Sequence, residues 1–296
     1  MAYLYLAIVT VLFSFGGILI KAAGTLFSPN MISFLRFACG IFLLSVLQKA
    51  RKRKVKWKFA CHLIWLGGFC KALHYLGENY GVANGFSYGN VVVWPVQTIV
   101  VLIISITVLH EKISARNILG AVLCMVGIGV ISWNGASAEV FFGEHLHLLA
   151  AFVIAGVGAA LFAVSQKRLL SQMGIMEMNG SMFAVGAVCC MFFLPFQNYP
   201  QNEVSFSGII ALGILGAITG IGFLLQAEAM KTVPLFLITV IQSATVILSL
   251  VWAVLFFQEP VTGYIICGTL CFIAGMLCIN LRGPKKEARH VESHRR

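Results

Sequence analysis

The chain has 296 residues, 59% of them hydrophobic and only 10% charged, with a mean hydropathy of +0.93. Soluble domains carry about 25% charged residues, so the composition excludes a water-soluble globular fold and points to an integral membrane protein. The formal net charge is +11, yet the basic residues lie between apolar runs, where they set topology; this argues against nucleic-acid binding.

A hydrocarbon core of about 30 Å takes roughly 20 apolar residues per helix. Ten such segments follow one another, near 3–23, 30–48, 60–80, 88–109, 115–134, 146–166, 177–197, 206–228, 234–257 and 261–281. The first has no basic leader, and its apolar run is too long for a typical signal peptide, so it reads as a retained span. The connections are short and carry breakers, as in "SPN" (28–30), "VANGFSYGN" (82–90), "NYPQNE" (198–203) and "QEP" (258–260). The polar, basic tail over 283–296 is expected to be disordered. The nine cysteines all fall in or beside apolar segments without CxxC or zinc-ligand spacing, so they read as small packing residues and imply no metal site.

With a cytoplasmic N-terminus, 18 of the 21 Lys and Arg fall in inside loops or the tail and none falls in an outside loop. The positive-inside rule therefore predicts a multi-pass protein of the cell (plasma) membrane with both termini cytoplasmic. The other three, Lys21, Arg36 and Lys71, lie within spans.

The stretch "VLHEKISARNILGAVLCMVGIGVIS" (108–132) resembles "FFQEPVTGYIICGTLCFIAGMLCIN" (256–280) at a shift of 148 residues, half the chain. Glu111 falls on Glu259, Gly120 on Gly268 and Gly127 on Gly275. Each half then holds five spans, and an odd number forces the halves into the membrane in opposite directions. This is the inverted repeat common among secondary transporters, with the site near the midplane between repeats. The predicted fold is thus all-α, with ten transmembrane helices in two inverted five-helix repeats, 1–140 and 141–282, around a central cavity. The paired glycines read as close packing of spans 5 and 10. Glu111 and Glu259 are expected to favour the positive N-terminus of the helix that follows each of them.

Ten spans, a 5 + 5 repeat, and "LHEKIS" and "FQEPVT" at the 4–5 and 9–10 junctions resemble the EamA family, the ten-helix branch of the drug/metabolite transporter superfamily, over residues 3–281. The resemblance implies a secondary transporter with a central cavity and with spans 5 and 10 packed away from it. It favours amino acids or related metabolites as substrates. Some members carry Pro in both span 4 and span 9; here Pro95 is present, and its repeat-related position is Ser243.

Charge within the bilayer costs about 2.5–3.5 kcal/mol on insertion scales and marks a cavity or a partner. Lys71, His74 and Glu78 occur at i, i+3 and i+7 and share one face of span 3. Counting rise along the helices puts Lys71 near the midplane, with Lys21, Arg36, His74 and Glu78 in the outer third. Under the repeat, Glu78 corresponds to Gln226 and Lys71 to Thr219. Glu228, with Lys167, Arg168 and Lys231, would form an inner polar layer opposite the outer one. Glu78 either neutralises Arg36 or Lys21 as packing or contacts substrate at a gate; both readings stand. Lys71 suits an anionic group such as a carboxylate, and His74 suits a proton role. Trp94 and Gln97 in "VVWPVQT" and Gln242 in "TVIQSAT" are further candidates for the cavity wall, Trp94 aligning with Gln242. Trp94 equally suits an interfacial anchor.

The leading function is alternating-access transport of a small polar or amphipathic metabolite. There is no GxxxxGK[ST] loop, so a gradient would supply the energy. An intramembrane enzyme would need a convergent catalytic set, yet no HExxH and no Asp is present. A channel or receptor is the other alternative, without the filter segments or charge rings of a channel. The expected partners are a small-molecule substrate and the lipid bilayer, with no cofactor and no nucleic acid; proton coupling and a homodimer are both compatible.

Overall fold

The structure, a computed structural model, describes residues 1–52, 56–85, 92–111, 113–135, 137, 139, 146–196, 206–257 and 262–280. Lys112, Glu259 and the 283–296 tail lie outside these residues, as do 86–90, 198–203 and 258–260 within the connections.

The described residues form helices α1 (Ala2–Ser14), α2 (Gly16–Ala23), α3 (Pro29–Ala50), α4 (His62–Asn84), α5 (Val93–Thr107), α6 (Ala115–Trp133), α7 (Leu146–Leu169), α8 (Ile175–Met191), α9 (Phe206–Met230), α10 (Leu235–Gln242), α11 (Thr245–Phe257) and α12 (Gly263–Asn280). They make the ten expected spans, because α1 and α2 share span 1 while α10 and α11 share span 9. Five spans are long and apolar enough to cross a membrane outright: 2–23, 29–50, 146–169, 206–230 and 235–256. Four others, in α5, α6, α8 and α12, are shorter apolar helices. The remaining one, α4, has the length at 23 residues but carries Lys71, His74 and Glu78.

Helix ends follow local chemistry. Pro29 opens α3 just after Ser28, where its missing N–H costs nothing. Ser114 caps α6 by accepting from the Asn117 N–H at 3.2 Å. Asn134, at φ 47°, closes α6 in the left-handed region that Asn tolerates, and Thr262 Oγ1 donates to its side-chain oxygen.

The two broken spans were not foreseen. Between α1 and α2 the chain passes through Phe15 before "GGI", and α11 satisfies the backbone beside the break. Thr245 Oγ1 donates to Thr10 O at 3.3 Å, and Ser249 Oγ donates to Ser14 O at 3.1 Å. The Trp252 indole N–H donates to Ser14 Oγ at 2.8 Å. Between α10 and α11 the Ser243 hydroxyl back-bonds to Thr239 O at 2.9 Å, and the turn tightens through Ala244 N to Ile241 O at 3.1 Å. Such breaks are tolerated in a bilayer only where neighbouring groups re-satisfy the backbone.

Packing carries the 148-residue symmetry. α4 packs on α7, and its mate pair, α9 on α1 and α2, packs likewise. α3 packs on α9, and α8 on α4. α6 packs extensively on α12 in a self-paired contact. There Cys124 Sγ lies 3.6 Å from Phe272 O and Cys271 Sγ 3.4 Å from Leu123 O, each pair exactly one repeat apart in register. Gly127 faces Gly268 and Gly120 faces Gly275 so closely that a Cβ on Gly127 would sit 2.5 Å from the Gly268 carbonyl oxygen. Small residues here let two backbones meet without a groove of side chains between them.

Candidate functional site

Most Lys and Arg of the described connections gather at one end of the bundle, called here the basic end. From it α4 runs inward, so that Lys71 lies mid-helix while Glu78 is about 9 Å short of the far end. α3 runs the other way, and Arg36 lies about 10 Å in from that same far end. Opposed directions therefore bring two residues 42 positions apart to one level.

Arg36 Nη1 donates to Glu78 Oε2 at 3.1 Å and to Asn79 Oδ1 at 3.0 Å. Both charged side chains are largely buried, 7% and 12% exposed. Asn79 in turn donates to Ser33 Oγ at 2.7 Å, and Ser33 donates to Pro29 O at 2.8 Å. The Arg36 guanidinium also lies 3.6 Å above the Tyr75 ring. Its orientation is thus fixed by α4 below and by its own helix behind.

A chain of ionisable groups continues inward from Glu78. His74 Nε2 lies 3.6 Å from Glu78 Oε2, and His74 Nδ1 lies 3.1 Å from Lys71 Nζ. Lys71 as the donor requires the neutral tautomer of His74 with its proton on Nε2. The Lys71 ammonium is 1% exposed and enclosed by aromatic faces: Phe223 at 3.9 Å, Tyr75 at 4.3 Å and Phe162 at 5.0 Å. Electron-rich ring faces attract a cation most strongly where water is excluded. Thr219 donates to Leu215 O at 2.9 Å, so its oxygen accepts from the Tyr75 hydroxyl at 3.0 Å and holds that ring in place.

These groups line a cavity of about 50 Å³ where α1–α5, α7, α9 and α10 converge. Of the sequence candidates, Arg36, Lys71, His74, Glu78, Trp94, Gln97, Gln226 and Gln242 all face it. Lys21 and Glu228 do not. Lys21 sits near the far end of α2, and Glu78 pairs with Arg36. Glu228 pairs with Lys231 at 2.7 Å at the basic end. Helices α6 and α12 contribute no lining residue. Among the described residues, three buried polar atoms on residues that line the cavity have no hydrogen-bond partner: Arg36 Nε, Gln226 Oε1 and Gln242 Nε2. The sequence reading missed Tyr75, Phe162 and Phe223. The chain has 23 Phe with no pattern to single out two of them, and only the tertiary fold brings them to Lys71.

A larger vestibule of about 750 Å³ opens at the basic end, lined by Tyr5, Gln48, Arg51, Lys56, Glu177 and Glu228, among others. Leu224 faces the vestibule and its neighbour Phe223 faces the cavity. Phe223 packs tilted against Phe13 at 5.0 Å and edge-on to Phe162 at 5.3 Å, an aromatic layer between the two spaces. Elsewhere at the basic end, Glu111 accepts from the Leu235 N–H at 2.9 Å at the start of α10. Glu111 therefore caps a helix of the other repeat, not α6, which follows it and which Ser114 caps. Lys167 Nζ fastens the same hairpin by donating to Met230 O at 2.6 Å and Val233 O at 3.2 Å.

Two inverted five-helix bundles enclosing a small, charged, buried cavity define a membrane transporter. Residues 1–133 and 146–281 each match the model of the EamA-like transporter family, and the chain belongs to that family. It is similar to an uncharacterized transporter of Archaeoglobus fulgidus, 25% identical over 265 residues that cover 88% of this chain and 91% of that protein. The fold also matches a solved crystal structure with a TM-score of 0.77 at 18% identity, covering 95% of this chain and 97% of that one.

Proposed function

We propose that the protein is a secondary carrier that moves a small polar or amphipathic metabolite, of the amino acid or derivative class, across the cytoplasmic membrane by alternating access. The observation that carries this reading is the central cavity: two cations, a carboxylate and three partnerless polar atoms, buried between two inverted halves. Buried charge of this kind is costly unless it meets a substrate or a partner. The halves 1–140 and 141–282 rock against each other around it. Arg36 and Glu78 form the outer polar layer. Glu111, Lys167, Glu228 and Lys231 form the inner one, with the aromatic layer between the vestibule and the site. The basic end faces the cytoplasm, as the distribution of Lys and Arg favours.

The test is counterflow in liposomes holding purified protein. The reading expects saturable exchange of labelled external solute against unlabelled internal solute. Flux that rises linearly with concentration would indicate a channel, and product formation without net movement would indicate an enzyme.

A further inference from the structure

The charges facing the cavity do not balance. Arg36 and Lys71 are cationic side chains and Glu78 is a carboxylate; His74, 3.1 Å from Lys71 through Nδ1, is uncharged in the tautomer whose Nδ1 accepts from Lys71. Among the described residues, the titratable and charged groups that line the cavity with Lys71 come from α3 (Arg36) and α4 (His74, Tyr75, Glu78). The side chains that α1, α2, α5, α7, α9 and α10 turn to the cavity are uncharged. With His74 neutral, the cavity lining therefore holds one positive charge in excess when Lys71 is protonated, and none when Lys71 is neutral. An unbalanced charge among buried side chains is strongly disfavoured. Two states restore balance: Lys71 protonated with an anion beside it, or Lys71 neutral with no anion.

Resting on the carrier reading, we infer that the cavity takes one compact organic monoanion together with one proton, the proton held on Lys71. The partnerless atoms fit such a solute. Arg36 Nε and Gln242 Nε2 donate to a carboxylate, and Gln226 Oε1 accepts from a hydroxyl or amide N–H on the same molecule. The aromatic faces of Tyr75, Phe162 and Phe223 are occupied by Lys71 itself, so they stabilise the protonated amine rather than a substrate cation. When the anion leaves, the Lys71 proton passes to water entering the opened cavity, and the empty site crosses neutral. Loaded and empty legs then carry no net charge through the membrane, and transport is electroneutral symport.

Three arms of one experiment test this in proteoliposomes. The first is counterflow with the protein amino acids, their N-acetyl derivatives and short hydroxy acids. The monoanions should exchange at least tenfold faster than zwitterionic alanine. Preference for zwitterions overturns the inference and leaves the carrier standing; movement of no solute sinks the carrier reading as well. The second arm follows wild-type uptake of the best monoanion with the membrane potential clamped by potassium and valinomycin. An acid pulse on one side should drive accumulation, and changing the clamped potential should not; the reverse overturns the inference. The third is Lys71→Arg, which keeps the charge and cannot release it. It should lose acid-driven net uptake at least tenfold more than it loses anion exchange, read as the ratio of the two rates in the same vesicles. Wild-type acid-driven uptake in that variant overturns the role of Lys71. Should the variant fail to fold, the first two arms decide the matter on the native protein.

Discussion

Replacing Glu78 by Gln removes the only carboxylate among the described residues that line the cavity and leaves Arg36 with Asn79 and the Tyr75 ring. At 3.1 Å, Coulomb attraction in an effective dielectric near 20 is about 5 kcal/mol. Breaking a buried pair by removing one partner costs about 3–5 kcal/mol. Gln keeps one oxygen for Arg36, so the expected loss lies at the low end, about 3 kcal/mol. The distinguishing quantity is the coupling in a double-mutant cycle with Arg36→Met, followed by reversible unfolding in mixed micelles. The geometry predicts coupling of about 2–4 kcal/mol, because the double variant leaves no uncompensated charge from the pair. Exposed ion pairs couple by only about 0.2–1 kcal/mol. A value below about 0.5 kcal/mol would refute the claim that this is a buried, water-excluded pair.

Three further outcomes follow from other parts of the bundle. Gly127→Ala places a Cβ 2.5 Å from Gly268 O and 2.7 Å from Phe272 N, so α6 and α12 must part by about 1 Å at a cost of about 1–3 kcal/mol; melting in detergent should drop while the KM for exchange stays put. Glu111→Ala strips the cap from α10 and should cost about 1 kcal/mol, read as a lower melting temperature and faster proteolysis at the hairpin around Thr232. In a cysteine-free background, an impermeant maleimide should label Lys56→Cys only in inverted vesicles and Asn84→Cys only in right-side-out ones; the opposite pattern reverses the topology.

The spans were legible because hydropathy accumulates over some 20 residues, and the half-chain shift was legible because "LHEKIS" and "FQEPVT" repeat at the same junction. The breaks in spans 1 and 9 were not. A sliding average runs straight through "FSFGG" and "QSAT", and what stabilises the first break, the hydroxyls of Thr245 and Ser249, lies 235 residues away. Depth counting put Arg36 and Glu78 in one layer, but it put Lys21 there too; only helix packing distinguishes them, by setting Arg36 against α4. Glu111 shows the same limit. Its sequence position suggests the next helix, while the inverted repeat delivers it to α10. The aromatic faces around Lys71 were invisible because α7 and α9 each contribute one phenylalanine with no periodic signature.

The central claim is that the cavity between Arg36, Lys71, Gln226 and Gln242 is where the solute binds. The most direct measurement is an experimental structure of the protein in lipid nanodiscs with a solute that counterflow has shown it to transport. The account predicts density for that solute against Arg36 Nε and Gln242 Nε2, with the aromatic layer around Phe223 closed or displaced. Solute density in the vestibule alone, with the cavity unchanged, would contradict it.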